Sequence, residues 1–208
     1  MSEKVILLTG FEPFGGSHIN PSIEACRRLE GETYHGYRVV VEEIPLRYRE
    51  IQATIEGHIE GHKPAAVVCT GQGGGTGISV ERVAINIASA RMPYNCGEAP
   101  MDELLNPEGP VGYFTRLPYR DMLSLLKEAG VPSRLSNSAG TYGCNQIFYH
   151  LMDYVAREEL DMLSGFIHVP SMPEQVLNRR GGASMSIELT AKGLGVVARE
   201  LARRASVA

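Results

Sequence analysis

The sequence predicts an α/β protein, a three-layer α/β/α sandwich around a mostly parallel twisted sheet. Two observations carry that expectation. Short apolar runs alternate with stretches of helical spacing along almost the whole chain. Two of the runs, those ending in Thr9-Gly10 and Thr70-Gly71, are apolar throughout, as strands covered on both faces are.

Each element has its own reason. Lys4 to Leu8 reads as a buried strand. Pro21 to Leu29 reads as a helix entered through Asn20, with proline at the first helical position. Tyr37 to Ile44 is β-branched and reads as a strand; Tyr48 to His62 has helical spacing and stops before Pro64. Ala65 to Cys69 is a second buried strand, and Val80 to Ala88 is β-like. Pro93 to Tyr113 is rich in Pro, Gly and Asn and reads as a long loop with room for a hairpin. Asp121 to Ala129 is a helix closed by Gly130, Ser133 to Ser138 a strand, and Cys144 to Glu159 a helix. Gly165 to Val169 is a strand, and Ser184 to Arg204 a long final helix. No repeat or linker divides the chain, so one domain over residues 1–208 is expected.

Composition narrows the partners. The 208 residues are 43% hydrophobic and 21% charged, ordinary for a globular protein, with a formal net charge of −4. No basic run favours nucleic acid or an anionic membrane surface. The basic stretch from Arg199 to Arg204 reads as the solvated end of a helix, where cations are favourable. No stretch approaches the roughly 20 apolar residues of a membrane span, and the apolar run after Lys4 is too short for a secretory signal. Cys26, Cys69, Cys96 and Cys144 form no C-x-x-C pair and read as free thiols of a reducing, cytoplasmic compartment.

In an open parallel sheet, the loops after the strands gather at one edge, where ligands bind. Residues 10–18, 71–77, 139–143 and 168–173 all follow expected strands. Cys144 stands where a strand gives way to a helix, and the positive end of the helix favours a thiolate there. The alternative is a buried structural cysteine. His168 ends the next strand, and if the two strands are neighbours it shares an edge with Cys144 as a nucleophile and base pair. The alternative is a core histidine bonded to backbone. Glu81 shares one parity with Val83, Ile85 and Ile87, so its carboxylate joins an apolar face and needs a partner. That partner is either the His168 imidazole or an arginine. His58 and His62 are four apart on a helix, as a metal pair would be, but no third ligand is evident, and they read as solvated. His150 lies roughly 240° round its helix from Cys144 and should not face the thiol.

Two Gly-rich loops look made for a ligand: Gly10 to Gly16, which carries Phe11 and Phe14, and Gly71 to Gly77. The second fits neither the dinucleotide nor the P-loop pattern, and no G-x-S-x-G or H-E-x-x-H occurs.

Six separated blocks, in order along nearly the whole chain, resemble the pyrrolidone-carboxylate peptidase (pyroglutamyl peptidase I) family. They are Gly10 to Gly16 with Asn20-Pro21-Ser22; Gly71-Gln72; Glu81 to Asn86; Gly109-Pro110 with Tyr113-Phe114; Gly140-Thr141 with Cys144-Asn145; and Gly165 to Pro170 with Pro173-Glu174-Gln175. The resemblance implies a cysteine exopeptidase that removes an N-terminal pyroglutamyl residue, with Cys144, His168 and Glu81 as its triad. It implies that Arg91 and the Cys144 amide form the oxyanion site. Phe11, Phe14, Asn20 and Gln72 match the pocket positions, and Tyr142 borders the ring pocket. It further implies an α/β/α sandwich, no cofactor or metal, pyroglutamyl peptides as substrates, and a homotetramer. The chain departs from the family pattern at Tyr142-Gly143, Gln146, Met92 and Ser171, none of them in the triad.

Two rival readings differ in kind. A nucleoside phosphorylase would share this sort of sheet and use the 71–77 loop for phosphate. A ligand-binding module would leave the thiol incidental, and alkylation would then cost no turnover.

Overall fold

The computed structural model describes residues 4–178 and 181–207. Nine strands and five α-helices follow in the order β1 (Val5–Phe11), α1 (Pro21–Arg27), β2 (Thr33–Tyr34), β3 (Tyr37–Ile44), α2 (Ile51–His62), β4 (Ala66–Gln72), β5 (Ile78–Glu81), β6 (Val83–Ile85), β7 (Gly112–Phe114), α3 (Tyr119–Glu128), β8 (Ser133–Ser136), α4 (Gly143–Arg157), β9 (Leu163–Val169) and α5 (Ile187–Ala205). Pro173–Gln175 makes one 3-10 turn. Seven strands form a mixed, mostly parallel sheet in the order β2-β3-β1-β4-β9-β5-β8.

The alternation of side chains sorts the core into two layers. Ile6, Leu8, Val68, Val80 and Ile167 face one side, where α1, α3 and α5 cover them. Leu7, Val67, Cys69 and Phe166 face the other, under α2 and α4. Helix α2 shows how pattern becomes packing. Ile51, Ile55 and Ile59 recur every four residues, so they form one stripe, and all three are buried. Each such burial contributes roughly 1.5–3 kcal/mol before the entropy of ordering is set against it. At the N-terminus of α1, the Asn20 side chain accepts from the Ser22 N–H at 3.1 Å, and Pro21 needs no partner for a donor it lacks.

The structure differs from the sequence expectation at three places that bear on the site. The β-like run from Val80 to Ala88 is two strands broken at Arg82. There the chain leaves the main sheet, because Thr115 N–H takes the Arg82 carbonyl (2.9 Å) and pulls β6 into a separate ribbon with β7. The parity of Glu81 with Ile85 therefore means nothing. Ile85 is exposed, and Glu81 is buried because all of β5 is. Second, β9 does not neighbour β8. β5 lies between them and runs antiparallel to β9. Third, β8 therefore also runs against the main direction, and residues 137–142 must travel back to reach the edge where β1, β4 and β9 end. The short edge strand β2 carries no sequence signal of its own. The hairpin allowed for in the 93–113 loop exists only as the strand β7 that closes it.

Among the described residues, no helix is long and apolar enough to cross a membrane. The basic end of α5 behaves as a helix terminus: Arg203 and Arg204 both bond Glu200, at 2.8 and 2.7 Å.

Candidate active site

Helix α4 begins above the carboxyl end of β4, and the fit there is tight. A Cβ at Gly71 would stand 2.7 Å from Cys144 Sγ, and one at Gly73 would stand 2.9 Å from the His168 Cβ. Only bare backbone lets the thiol and the imidazole settle against this strand and its loop. In the sheet register Gly71 faces His168, so the thiol above β4 is one strand away from the imidazole on β9.

His168, on β9, has parity with Phe166 and so faces the α4 layer. Glu81 pairs with Phe166 in the antiparallel register of β5 and β9, which makes it the diagonal neighbour of His168. Its Oε1 lies 2.8 Å from His168 Nδ1. Nε2 is then the nitrogen left to face Cys144, the largest source of upward influence on the imidazole. Burial alone would depress the imidazole. The influence of Cys144, joined by the hydrogen bond and charge of Glu81, overcomes it and holds His168 up at about 10, so the ring is an imidazolium at neutral pH. Glu81 is 1% exposed, and its second oxygen, Oε2, is buried without a partner among the described residues.

The backbone at the start of α4 supplies donors. The first intrahelical bond is Gln146 N–H to the Tyr142 carbonyl, at 3.0 Å. The amides of Gly143, Cys144 and Asn145 precede it and have no intrahelical acceptor. Asn145 fixes the orientation of this turn: it accepts from Ile85 N–H at 3.0 Å and donates to the Ile85 and Ile87 carbonyls at 2.8 and 3.0 Å.

A cavity of about 340 Å³ opens beside the thiol. Phe11, Phe14, Gln72, Arg91, Tyr142, Cys144 and His168 all line it. Arg91 makes no side-chain hydrogen bond or ion pair among the described residues, so its guanidinium is free to meet a ligand. Asn20 does not line the cavity. Its side chain is used behind the loop, where its amide donates to the Glu12 carbonyl (3.0 Å) and its oxygen caps α1. Gln72 donates to Ser171 Oγ at 2.8 Å. The Tyr142 hydroxyl bonds the Pro93 carbonyl at 3.1 Å, and burial pushes it up to about 12. Glu12 also turns away: its Oε1 accepts from Leu46 N–H and from the Asn95 amide, both at 2.8 Å. Among the described residues, no carboxylate lines the cavity.

Gly74 and Ala139 to Thr141, on two of the expected edge loops, complete the lining with Leu46, Ser89 and Met92, of which Leu46 and Ser89 went unread in the sequence. They stand on irregular segments, where no periodicity marks a buried face. The pairing of Thr141 Oγ1 with the Ser89 carbonyl at 2.8 Å, which brings the two loops together, is equally silent.

Away from this cavity, Glu42 on β3 joins His58 and His62 in a group whose ligand atoms lie within 4.8 Å of one another. The histidine pair is thus half-buried, with a third donor supplied from another element, where the sequence suggested a solvated pair without one.

A protein-family model described as pyroglutamyl peptidase matches residues 4–204. The chain is 43% identical to the pyrrolidone-carboxylate peptidase of Bacillus licheniformis over 196 residues, covering 94% of this chain and 91% of that one. It is 41% identical to the Bacillus subtilis protein of the same name, with the same shares covered. A crystal structure of pyroglutamyl peptidase I from Bacillus amyloliquefaciens superposes with a TM-score of 0.93 at 40% identity, covering 96% of this chain and 95% of that chain. A mutant pyrrolidone carboxyl peptidase from Pyrococcus furiosus gives 0.91 at 36% identity, over 96% and 98%. With a matched model from end to end of the described fold, and the thiol, imidazole and carboxylate assembled at one sheet edge, this chain belongs to the pyroglutamyl peptidase family.

Proposed function

We propose that this chain is a single-domain cysteine peptidase, spanning residues 1–208, that hydrolyses the bond after an N-terminal pyroglutamyl residue. The observation that carries the reading is the chain of contacts from Glu81 through His168 to Cys144 beside a cavity without carboxylates. The Cys144 thiolate attacks the pyroglutamyl carbonyl. Arg91 and the free amides at the start of α4 stabilise the oxyanion, usually the largest single contribution to such a reaction. The His168 imidazolium protonates the departing amine, and the neutral ring then activates water to hydrolyse the thioester. Glu81 holds the ring by Nδ1.

The ligand preference follows from charge. A pyroglutamyl ring is flat and neutral, so it needs aromatic faces and no acid. Phe11 and Phe14 supply the first, and Glu12, spent on Leu46 and Asn95, does not offer the second. Gln72, one of the polar side chains lining the cavity, is the group this reading assigns to the lactam. Hydrolysis of pyroglutamyl, prolyl and glutaminyl aminocoumarins tests the reading. The pyroglutamyl substrate should be favoured over the prolyl one by about 10⁴-fold or more, because the prolyl ring leaves the site's polar groups unpaired. Comparable cleavage of the charged glutaminyl substrate would refute it. Phe14→Ala should weaken substrate binding by about 1–3 kcal/mol through lost ring contact, seen as a raised KM; an unchanged KM would move the ring contact to Phe11 alone.

The same reading gives a cytoplasmic enzyme acting without metal or cofactor, with its four cysteines as free thiols. It also gives a homotetramer. The β6–β7 ribbon supports an assembly, because Val111 and Phe114 are 88% and 72% exposed beside Ile85.

A further inference from the structure

We propose that Glu42, His58 and His62 form a binding site for a divalent transition-metal ion, zinc being the ion it fits, on the α2–β3 face away from the catalytic cavity. Three features of the fold converge on it. His58 and His62 are four residues apart near the C-terminal end of α2, so their rings stand on one face, with centroids 6.3 Å apart and planes 25° apart. Glu42 has the parity of Val40 and Ile44 on β3, which puts it on the side covered by α2. Each carboxylate oxygen then meets one ring: Oε1 lies 2.7 Å from His62 Nε2, and Oε2 lies 3.9 Å from His58 Nδ1.

Two imidazoles and one carboxylate are a borderline donor set of the kind zinc takes with three protein ligands. A tetrahedral zinc with bonds of about 2.0–2.1 Å holds its donors about 3.3 Å apart. Binding therefore opens the 2.7 Å contact and closes the wider gaps, which side-chain rotation within a group spanning 4.8 Å provides. The three side chains are 23–31% exposed, which leaves an entry path and a fourth position for water. The other nitrogen of His58, Nε2, is buried with no hydrogen-bond partner among the described residues, so the ring lacks the outer partner that usually strengthens a metal-binding histidine. The ion would clamp the last turns of α2 to β3 and takes no part in the reaction proposed for Cys144.

The test must silence the other metal-binding groups, because a thiolate beside an imidazole also takes zinc. The full-length chain with Cys144→Ala and Cys96→Ala is titrated with zinc sulfate by calorimetry and with cobalt(II) by absorption. One ion should bind per chain, the cobalt spectrum should lack a thiolate charge-transfer band, and zinc should raise the melting temperature. Adding His62→Gln or Glu42→Gln to that chain should weaken zinc binding by at least about tenfold and remove the thermal shift. Pyroglutamyl hydrolysis by the cysteine-intact His62→Gln chain should stay normal, which shows that the fold is kept. No binding by the doubly substituted parent at millimolar zinc, or equal binding by the parent and its His62→Gln form, would overturn the proposal.

Discussion

Two histidines, the buried His150 and the half-buried His168, end in opposite charge states, and the contrast shows what assembles this site. His150 is 3% exposed on α4, six residues beyond the thiol. Burial drives it down to about 4, although Asp153 pulls the other way, and Arg157 adds to the fall. His168 is nearly as enclosed, and burial drives it down too, yet it ends near 10. The difference lies in partners. His168 has the Cys144 thiol group on one side and a hydrogen-bonded carboxylate on the other, and both raise it. His150 has a carboxylate in its surroundings without a hydrogen bond to it, and its Nδ1 has no partner among the described residues. Burial alone decides for His150, whereas for His168 the close partners at both ends outweigh it.

Removing the thiol tests this most severely. Cys144→Ala should abolish pyroglutamyl hydrolysis, with a fall of at least about 10⁴-fold in kcat, since the nucleophile itself is gone. It should also lower the titration of His168, because Cys144 contributes the largest of the upward influences. NMR of the imidazole nitrogens reads this directly, and a His168 still titrating near 10 in that variant would show that the pair does not control the charge. In the intact protein the sign for stability follows. A folded value raised above 6.5 contributes stability that is full below 6.5 and is lost as pH rises through about 10.

Next in size is Glu81→Gln. It keeps the shape of the contact but can hold the wrong tautomer, so kcat should fall by about 10²–10⁴-fold with a smaller change in KM. Glu81 is a positioning residue, and its pH–rate profile should narrow on the alkaline side as His168 loses one of its supports. An unaltered rate and profile would reduce Glu81 to a structural role.

How much of this was legible in the sequence follows from which forces act locally. Strand and helix alternation is local, so Tyr37–Ile44 was readable to the residue, and α1 with its Asn20 cap and Pro21 start to within two residues of its end. Cys144 announced itself by lying between a strand and a helix. Glu81 was singled out, but on faulty grounds, because alternation shows a period and not which sheet a strand joins; the break at Arg82 is made by Thr115, 33 positions away. The neighbours of β9 could only be posed as a condition for the same reason, since strand order is a global property. The resemblance placed Asn20 in the pocket; its geometry is that of a helix cap. The departures from the family pattern also acquire reasons only in three dimensions. Gly143 sits where a Cβ would collide with Leu46, Gln146 reaches the Tyr48 carbonyl at 2.7 Å, and Ser171 receives Gln72.

The smallest effect belongs to the silent member of the comparison. A folded value near 4, below the usual 6.5, means that the unfolded chain binds a proton at His150 before the folded chain does. Stability from this group is therefore full above about 6.5 and is lost as pH falls toward 4. The loss amounts to on the order of 3 kcal/mol by pH 4. His150→Gln removes that titration while keeping a polar side chain of similar reach. Its unfolding free energy, measured by urea at several pH values, should fall less steeply than that of the parent between pH 6.5 and 4, whatever the offset at neutral pH. Pyroglutamyl hydrolysis at neutral pH should stay within a few-fold, because His150 lines no part of the cavity. Parallel stability curves for the two proteins would mean that His150 finds an acid partner within the folded core, and the contrast with His168 would then be one of degree.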